Sequence, residues 1–159
     1  MKKLGGEVRV IAVGRIRKSH WEAAQDDYVG RIGRYTKFRL VEVKDAVGKG
    51  MDDATAIQKE GEKLLKASHF ASRRIALTPI GIQMTSPELG DYLQRQIQIY
   101  GKLAFLIGGP LGFSEEVLTQ CEEQISLSSF TFPHELARVI WLEQLYRACT
   151  ILGNEPYHK

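Results

Sequence analysis

Cysteine is scarce in this 159-residue chain: Cys121 and Cys149 are far apart, with no Cys-x-x-Cys pair and no histidine at metal-ligand spacing. Neither a disulfide framework nor a metal site is expected, and both thiols read as buried small hydrophobes. Long apolar runs are missing too. The first residues, Met1-Lys2-Lys3-Leu4-Gly5-Gly6, lead into a short alternating segment and not into the apolar core of a signal peptide. A cytoplasmic protein with no membrane partner is therefore expected. The glycines at 108–112 lack the Lys-Ser/Thr of a phosphate-binding loop and the G-x-G-x-x-G dinucleotide spacing, which disfavours an ATPase or an ordinary dehydrogenase. No Pro/Gly/Ser-rich linker and no internal repeat divides the chain, so residues 1–159 read as one domain.

What is present is 43% hydrophobic and 26% charged residues, enough to bury a core, with a net charge of +3. That charge is unevenly spread. Residues 1–75 hold 17 Lys and Arg against 10 Asp and Glu, and residues 76–159 hold 5 against 9. A basic amino half suits a polyanion such as RNA, and solvated lysines on ordinary helices give the same count.

The hydropathy pattern alternates between strand and helix. Residues 7–14 are β-branched and closed by Gly14, a first strand. Ala24, Tyr28, Ile32 and Tyr35 recur at helical spacing, and residues 38–43 resume strand alternation. A second helix carries Ala54, Ile57, Leu64 and Leu65, and a third strand covers 73–78, ended by Pro79 and Gly81. Thr85-Ser86-Pro87-Glu88 is a capping-box signature for a helix running to Tyr100. Residues 103–107 form a continuous apolar run that suits a strand buried on both faces. Ser114 caps a short helix, residues 125–127 form a brief strand, and Pro133 opens a long final helix. This order predicts an α/β fold around a mainly parallel sheet.

Chemistry concentrates toward the carboxyl end. Gly108-Gly109-Pro110-Leu111-Gly112 follows the most apolar strand, where open α/β sheets place ligands; a plain strand–helix turn has the same composition. Leu127-Ser128-Ser129-Phe130-Thr131-Phe132 mixes hydroxyls with rings and suits either an adenine site or a capped connection. The last helix has an unusually wide apolar face, from Leu136 to Cys149, that a second copy or central burial would cover. Arg147 follows Glu143 by four residues, an intrahelical ion pair or an anion contact. Tyr157-His158-Lys159 after Pro156 is either a preset reactive group or a fraying end.

Four ordered blocks, residues 105–112, 126–134, 143–148 and 156–159, together resemble the ribosomal RNA large subunit methyltransferase H family of the SPOUT superfamily. Ala12-Val13-Gly14 and Lys59-Glu60-Gly61-Glu62 agree with it as well. The resemblance implies a single-domain SPOUT-type α/β fold with a carboxyl-terminal trefoil knot. It implies a homodimer that uses S-adenosylmethionine to methylate N3 of a pseudouridine in the helix 69 loop of 23S rRNA, within the assembled ribosome. By residue, Leu77, Gly108, Gly109, Leu127, Ser128, Ser129, Phe130, Thr131 and Phe132 would bind the methyl donor. Arg147, Tyr157 and His158 would act in catalysis, with Lys159 facing the RNA. The basic half adds Arg31, Arg34 and Lys37 as phosphate contacts. Relatives commonly carry an acidic residue where this chain has Leu111. Two other readings compete: a non-catalytic ribosome-binding factor, and a knotted methyltransferase acting on another RNA.

Overall fold

Strand and helix alternate throughout the computed structural model, which describes residues 1–159: β1 (Glu7–Val13), α1 (Ser19–Ile32), β2 (Lys37–Val43), α2 (Asp53–Ala67), β3 (Arg73–Ile82), α3 (Ser86–Tyr100), β4 (Lys102–Ile107), α4 (Glu115–Thr119), β5 (Glu123–Ile125) and α5 (His134–Leu152). The strands form one sheet in the order β2-β1-β4-β3-β5, and every pairing is parallel. Alternation along the central strands sends side chains to both faces. Val8, Val10 and Ala12 of β1 join Leu103, Phe105 and Ile107 of β4 beneath α1, α3 and α5. Ile11, Val13, Ala104 and Leu106 point the other way, toward Leu64 of α2 and Val117 of α4. With both faces covered, β1 and β4 are apolar beyond Glu7, Arg9 and Lys102 at their amino ends, as parallel central strands require.

The capping signals act as their chemistry dictates. The Thr85 hydroxyl accepts from Glu88 N–H while the Glu88 carboxylate accepts from Thr85 N–H, a complete capping box. Ser114 accepts from Val117 N–H at 3.3 Å. Helix α1 stops at Ile32, short of the expected Tyr35, because the chain turns at Gly33 and buries Tyr35 against the core.

β3 departs most from expectation, since it runs through Pro79 and Gly81 to Ile82. Leu77 and Ile82 both pair with Ile125, so the four residues between them form a bulge. Pro79 sits in that bulge, where a missing N–H removes no ladder bond. Gly81 returns the strand so close to β5 that a Cβ would lie 2.5 Å from the Ile125 carbonyl carbon, which excludes any side chain. The long-range pairing that permits this strand has no local sequence signal.

Helix α5 packs between α1 and α3 and buries Val139, Trp141, Leu142, Leu145, Ala148 and Cys149. Central burial accounts for most of its wide apolar face. Leu136, Ile140 and Tyr146 remain half-buried. Arg138 is 1% exposed. It donates to the carbonyls of Val13 and Gly14 at 3.1 and 2.9 Å and pairs with Glu42 at 2.7 Å, pinning α5 over the carboxyl ends of β1 and β2.

Candidate active site

Strands β3, β4 and β5 end side by side, and the loops that leave them gather most of the residues nominated for donor binding. β4 ends in the 108–112 turn, closed by Gly112 N–H to the Gly109 carbonyl at 3.0 Å, with Gly112 at φ +79°. A Cβ on Gly108 would lie 3.1 Å from the Gly112 carbonyl, a tight contact that the turn could take only by shifting a few tenths of an ångström. Leu77 of β3 pairs with Ile107 and Ile125 and is half-buried between the two neighbouring strands.

The loop after β5 is tied at several points. Ser126 N–H donates to the Ile82 carbonyl at 2.9 Å. The Ser126 hydroxyl donates to the Ser128 carbonyl at 3.0 Å, the Ser128 hydroxyl accepts from Phe130 N–H at 3.0 Å, and Gln83 Nε2 donates to the Ser129 hydroxyl at 3.0 Å. Leu127, Ser128 and Phe132 are half-buried, whereas Ser129, Phe130 and Thr131 face solvent, Phe130 at 81%.

A cavity of about 310 Å³ opens beside this loop, lined by Met84, Thr85, Ser86, Leu89, Ile125, Ser126, Leu127, Ile140, Trp141 and Gln144. Its volume lies within the range of small-molecule sites, about 300–1,000 Å³. Apolar walls alternate with hydroxyls and one amide, and the buried Trp141 indole N–H has no hydrogen-bond partner. A larger open cleft, about 440 Å³, lies at the opposite, amino end of the strands, lined in part by Glu7, Lys37, Phe70, Tyr100 and Lys102. Glu7 there is spent on Arg9 and Lys37, at 2.6 and 2.9 Å. No residue nominated for the donor borders that cleft.

The closing residues form a built cluster on α5. Glu143 Oε1 accepts from Arg147 Nε and Nη2 at 3.0 and 2.6 Å and from the Tyr157 hydroxyl at 3.1 Å. Arg147 stacks over the Tyr157 ring at 4.8 Å and lies 3.3 Å from His158 Nδ1. Arginine only donates, so Nδ1 is the accepting atom in this contact. The Arg147 guanidinium is held above its ordinary range, first by its hydrogen bond to Glu143. Burial, followed by hydrogen bonds with Tyr28 and Glu143, raises the Tyr157 phenol, which stays protonated at neutral pH. Upstream, the Tyr35 hydroxyl donates to Glu155 at 2.7 Å and Glu155 N–H donates to the Thr150 carbonyl at 2.9 Å, so this segment does not fray. The intrahelical ion pair read from the Glu143–Arg147 spacing is present, and it aims Arg147 at the tail.

The cavity and the tail are joined. Gln144 accepts from the Ser86 hydroxyl at 2.6 Å and donates to Glu143 Oε2 at 2.7 Å. Sequence reasoning missed Gln144 and Trp141, and it took Glu143 only as an ion-pair partner. Nothing local marks a Gln next to a Glu as a bridge, since its other partner is 58 residues away. Of the basic candidates, Arg31 reaches the cluster through the Tyr146 ring, which packs edge-on against Tyr157 at 4.7 Å, and Lys159 follows His158 in the tail. Arg31 pairs with Asp27 at 2.9 Å and faces the Tyr146 ring, Lys37 pairs with Glu7, and Arg34 and Lys159 are exposed. No cluster of three or more His, Cys, Asp or Glu side chains is placed to hold a metal ion, and no helix is long and apolar enough to cross a membrane.

These features define an open parallel α/β domain with its candidate ligand site at the strand carboxyl ends. The family described as predicted SPOUT methyltransferase matches residues 7–158. The ribosomal RNA large subunit methyltransferase H of Anaeromyxobacter dehalogenans is 42% identical over 153 residues, covering 96% of this chain and 99% of that protein. Among solved structures, a probable methyltransferase from Bordetella pertussis superposes with a TM-score of 0.59 at 14% identity, covering 92% of this chain and 97% of the other. The SpoU methyltransferase AviRb from Streptomyces viridochromogenes, in complex with the cofactor AdoMet, superposes with a TM-score of 0.51 at 13% identity, covering 95% and 60%. The chain belongs to the SPOUT methyltransferase family and, within it, to the ribosomal RNA large subunit methyltransferase H family.

Proposed function

We propose that this chain is an S-adenosylmethionine-dependent methyltransferase acting on N3 of a pseudouridine in the helix 69 loop of 23S rRNA, on the assembled ribosome. It works as a homodimer of one-domain protomers, each with a trefoil knot in its carboxyl-terminal part. The observation that carries this reading is a glycine turn and a hydroxyl-bearing cavity at the carboxyl ends of one parallel sheet, joined through Gln144 to an arginine–tyrosine cluster on α5. Near-full-length identity to ribosomal RNA large subunit methyltransferase H supports it.

The residues present fit the donor. Leu77, Gly108, Gly109 and residues 127–132 hold it, with Met84 and Leu127 offering apolar surface and Ser126 and Gln144 offering polar groups. When bound, S-adenosylmethionine supplies an electrophilic methyl group on its sulfonium. The chain's own part is orientation and proton handling. Arg147 turns from His158 toward the carbonyl oxygens flanking the acceptor nitrogen, where charge grows. That movement frees the His158 Nδ1 lone pair to take the N3 proton. Tyr157, protonated and anchored on Glu143, holds the tail in register. Lys159, Arg31, Arg34 and Lys37 contact RNA phosphates.

Isothermal titration with S-adenosylmethionine tests the first step. Saturable binding that is lost in a Gly108→Val variant supports the reading. A wild-type protein that binds ribosomes without binding the donor is a non-catalytic ribosome-binding factor, the reading to which Leu111, exposed at the tip of the glycine turn, lends weight.

A further inference from the structure

Two segments take no part in the site above: Ala12-Val13-Gly14 at the end of β1 and Lys59-Glu60-Gly61-Glu62 on α2. They meet beneath the glycine turn. Glu60 is 2% exposed. Its Oε2 accepts from Ala46 N–H at 2.9 Å, tying α2 to the loop after β2. Its Oε1 is buried and makes no hydrogen bond. A side chain on Gly109 would come within 3.2 Å of that oxygen, 3.7 Å of Oε2 and 3.3 Å of Val13 Cγ1. The carboxylate and the end of β1 therefore form the floor on which Gly109 rests.

Burying a charged oxygen without a partner is unfavourable, and such a group in a folded protein calls for a reason. Holding the turn by hydrogen bonding would give Oε1 a partner. No protein group bonds it, and what the geometry shows at the turn is close contact between the carboxylate and Gly109. The Ala46 N–H fixes the orientation of the carboxylate, and the length of the side chain fixes the height of the floor.

We propose that Glu60 is a positioning residue: a spacer, set beside the end of β1 and against Gly109, that fixes how far the 108–112 turn stands off the sheet and so shapes the donor side of that turn. The proposal rests on the donor-binding reading given above. It separates bulk from charge. Glu60→Gln keeps the bulk and an oxygen for Ala46 N–H while removing the charge. Glu60→Asp keeps the charge and withdraws the carboxylate by one methylene.

Titration with S-adenosylmethionine is expected to leave the Kd of Glu60→Gln within about twofold of wild type and to weaken that of Glu60→Asp by about tenfold, the scale of a sub-ångström misplacement. Gly109→Ala weakens binding through its collision with the carboxylate. Glu60→Asp/Gly109→Ala binds more tightly than Gly109→Ala alone, because the shorter side chain makes room. Hydrogen exchange of the donor-free proteins supplies a readout independent of the donor: the 109 and 111–112 amides exchange faster in Glu60→Asp and at the wild-type rate in Glu60→Gln. Equal weakening by Gln and Asp, wild-type behaviour of Asp, or single effects that simply multiply in the double variant would overturn the spacer. A wild-type protein that binds no donor sinks the donor reading, and the exchange rates then decide the spacer by themselves.

Discussion

Gln144 donates to Glu143 at 2.7 Å, and through that contact the cavity beside β5 is wired to the cluster that holds the tail. Ser86 supplies the cavity end of the wire, and Arg147 and Tyr157 supply the other. Replacing Gln144 by Leu keeps the volume and removes both bonds. Donor affinity is expected to stay within about threefold while single-turnover methylation slows by about tenfold, since the loss falls on orientation and not on binding. Titration and quenched-flow methylation measure the two quantities. A donor affinity that collapses along with the rate would show that Gln144 serves the cavity alone.

Arg147 carries the electrostatic part of the proposed chemistry. Arg147→Ala should slow methyl transfer by about 10²-fold or more with donor binding intact, the usual effect of deleting a charge-stabilising donor. Arg147→Lys should restore little, because an ammonium cannot reproduce two parallel contacts to Glu143 while also reaching the substrate. An undiminished single-turnover rate in Arg147→Ala would remove it from the mechanism.

Arg138 has a different task. Its removal leaves the Val13 and Gly14 carbonyls without their donor and Glu42 without its cation. Arg138→Ala is expected to cost about 3 kcal/mol in urea unfolding, the low end for breaking a buried pair because Glu42 is partly solvated. A loss below about 1 kcal/mol would place Arg138 among ordinary surface pairs.

The same contrast shows what the sequence revealed. β4 was legible because burial on both faces leaves a continuous apolar run, β1 because its β-branched residues close on Gly14, and the starts of α3 and α4 because Thr85, Glu88 and Ser114 cap locally. Arg138 was not, because a cation on a helix looks solvated until strands more than 90 residues away supply its partners. Pro79 and Gly81 read as a strand end, and only the double pairing of Ile125 turns them into a bulge. At the site, the glycine turn, the serine loop and the tail were legible as motifs. Their support, from Gln144, Trp141 and Glu60, was not, because it arises from side chains that meet only after folding.

Alkaline stability involves the two thiols first and, at higher pH, the phenols of Tyr35, Tyr92 and Tyr157, all raised chiefly by burial. Burial pushes Cys121 up to about 11 and Cys149 up to about 12. Folding thus favours the protonated thiols, so their contribution is complete below the ordinary thiol pKa of 9.0 and is lost as pH rises toward the folded values. Tm should be flat between about pH 7 and 8.5 and fall above about pH 9, and Cys149→Ala should lessen that fall. Calorimetric scans across this range check it, and an identical decline in Cys149→Ala would assign the effect elsewhere.

Ribosome binding should report which basic residues meet phosphate. Arg34 is exposed and makes no side-chain ion pair, whereas Lys37 is committed to Glu7. Arg34→Ala should reduce the slope of log K against log salt by about 0.7–0.9, one phosphate contact, with a smaller change for Lys37→Ala. Unchanged slopes for both would exclude this face from the docking surface.

Incubation of the protein with methyl-labelled S-adenosylmethionine and, in parallel, assembled ribosomes, isolated large subunits and transfer RNA tests the proposed activity most directly. Label should enter assembled ribosomes and map by mass spectrometry to N3 of a pseudouridine in the helix 69 loop of 23S rRNA. Label confined to transfer RNA, or absent from every substrate although the donor binds, would contradict it.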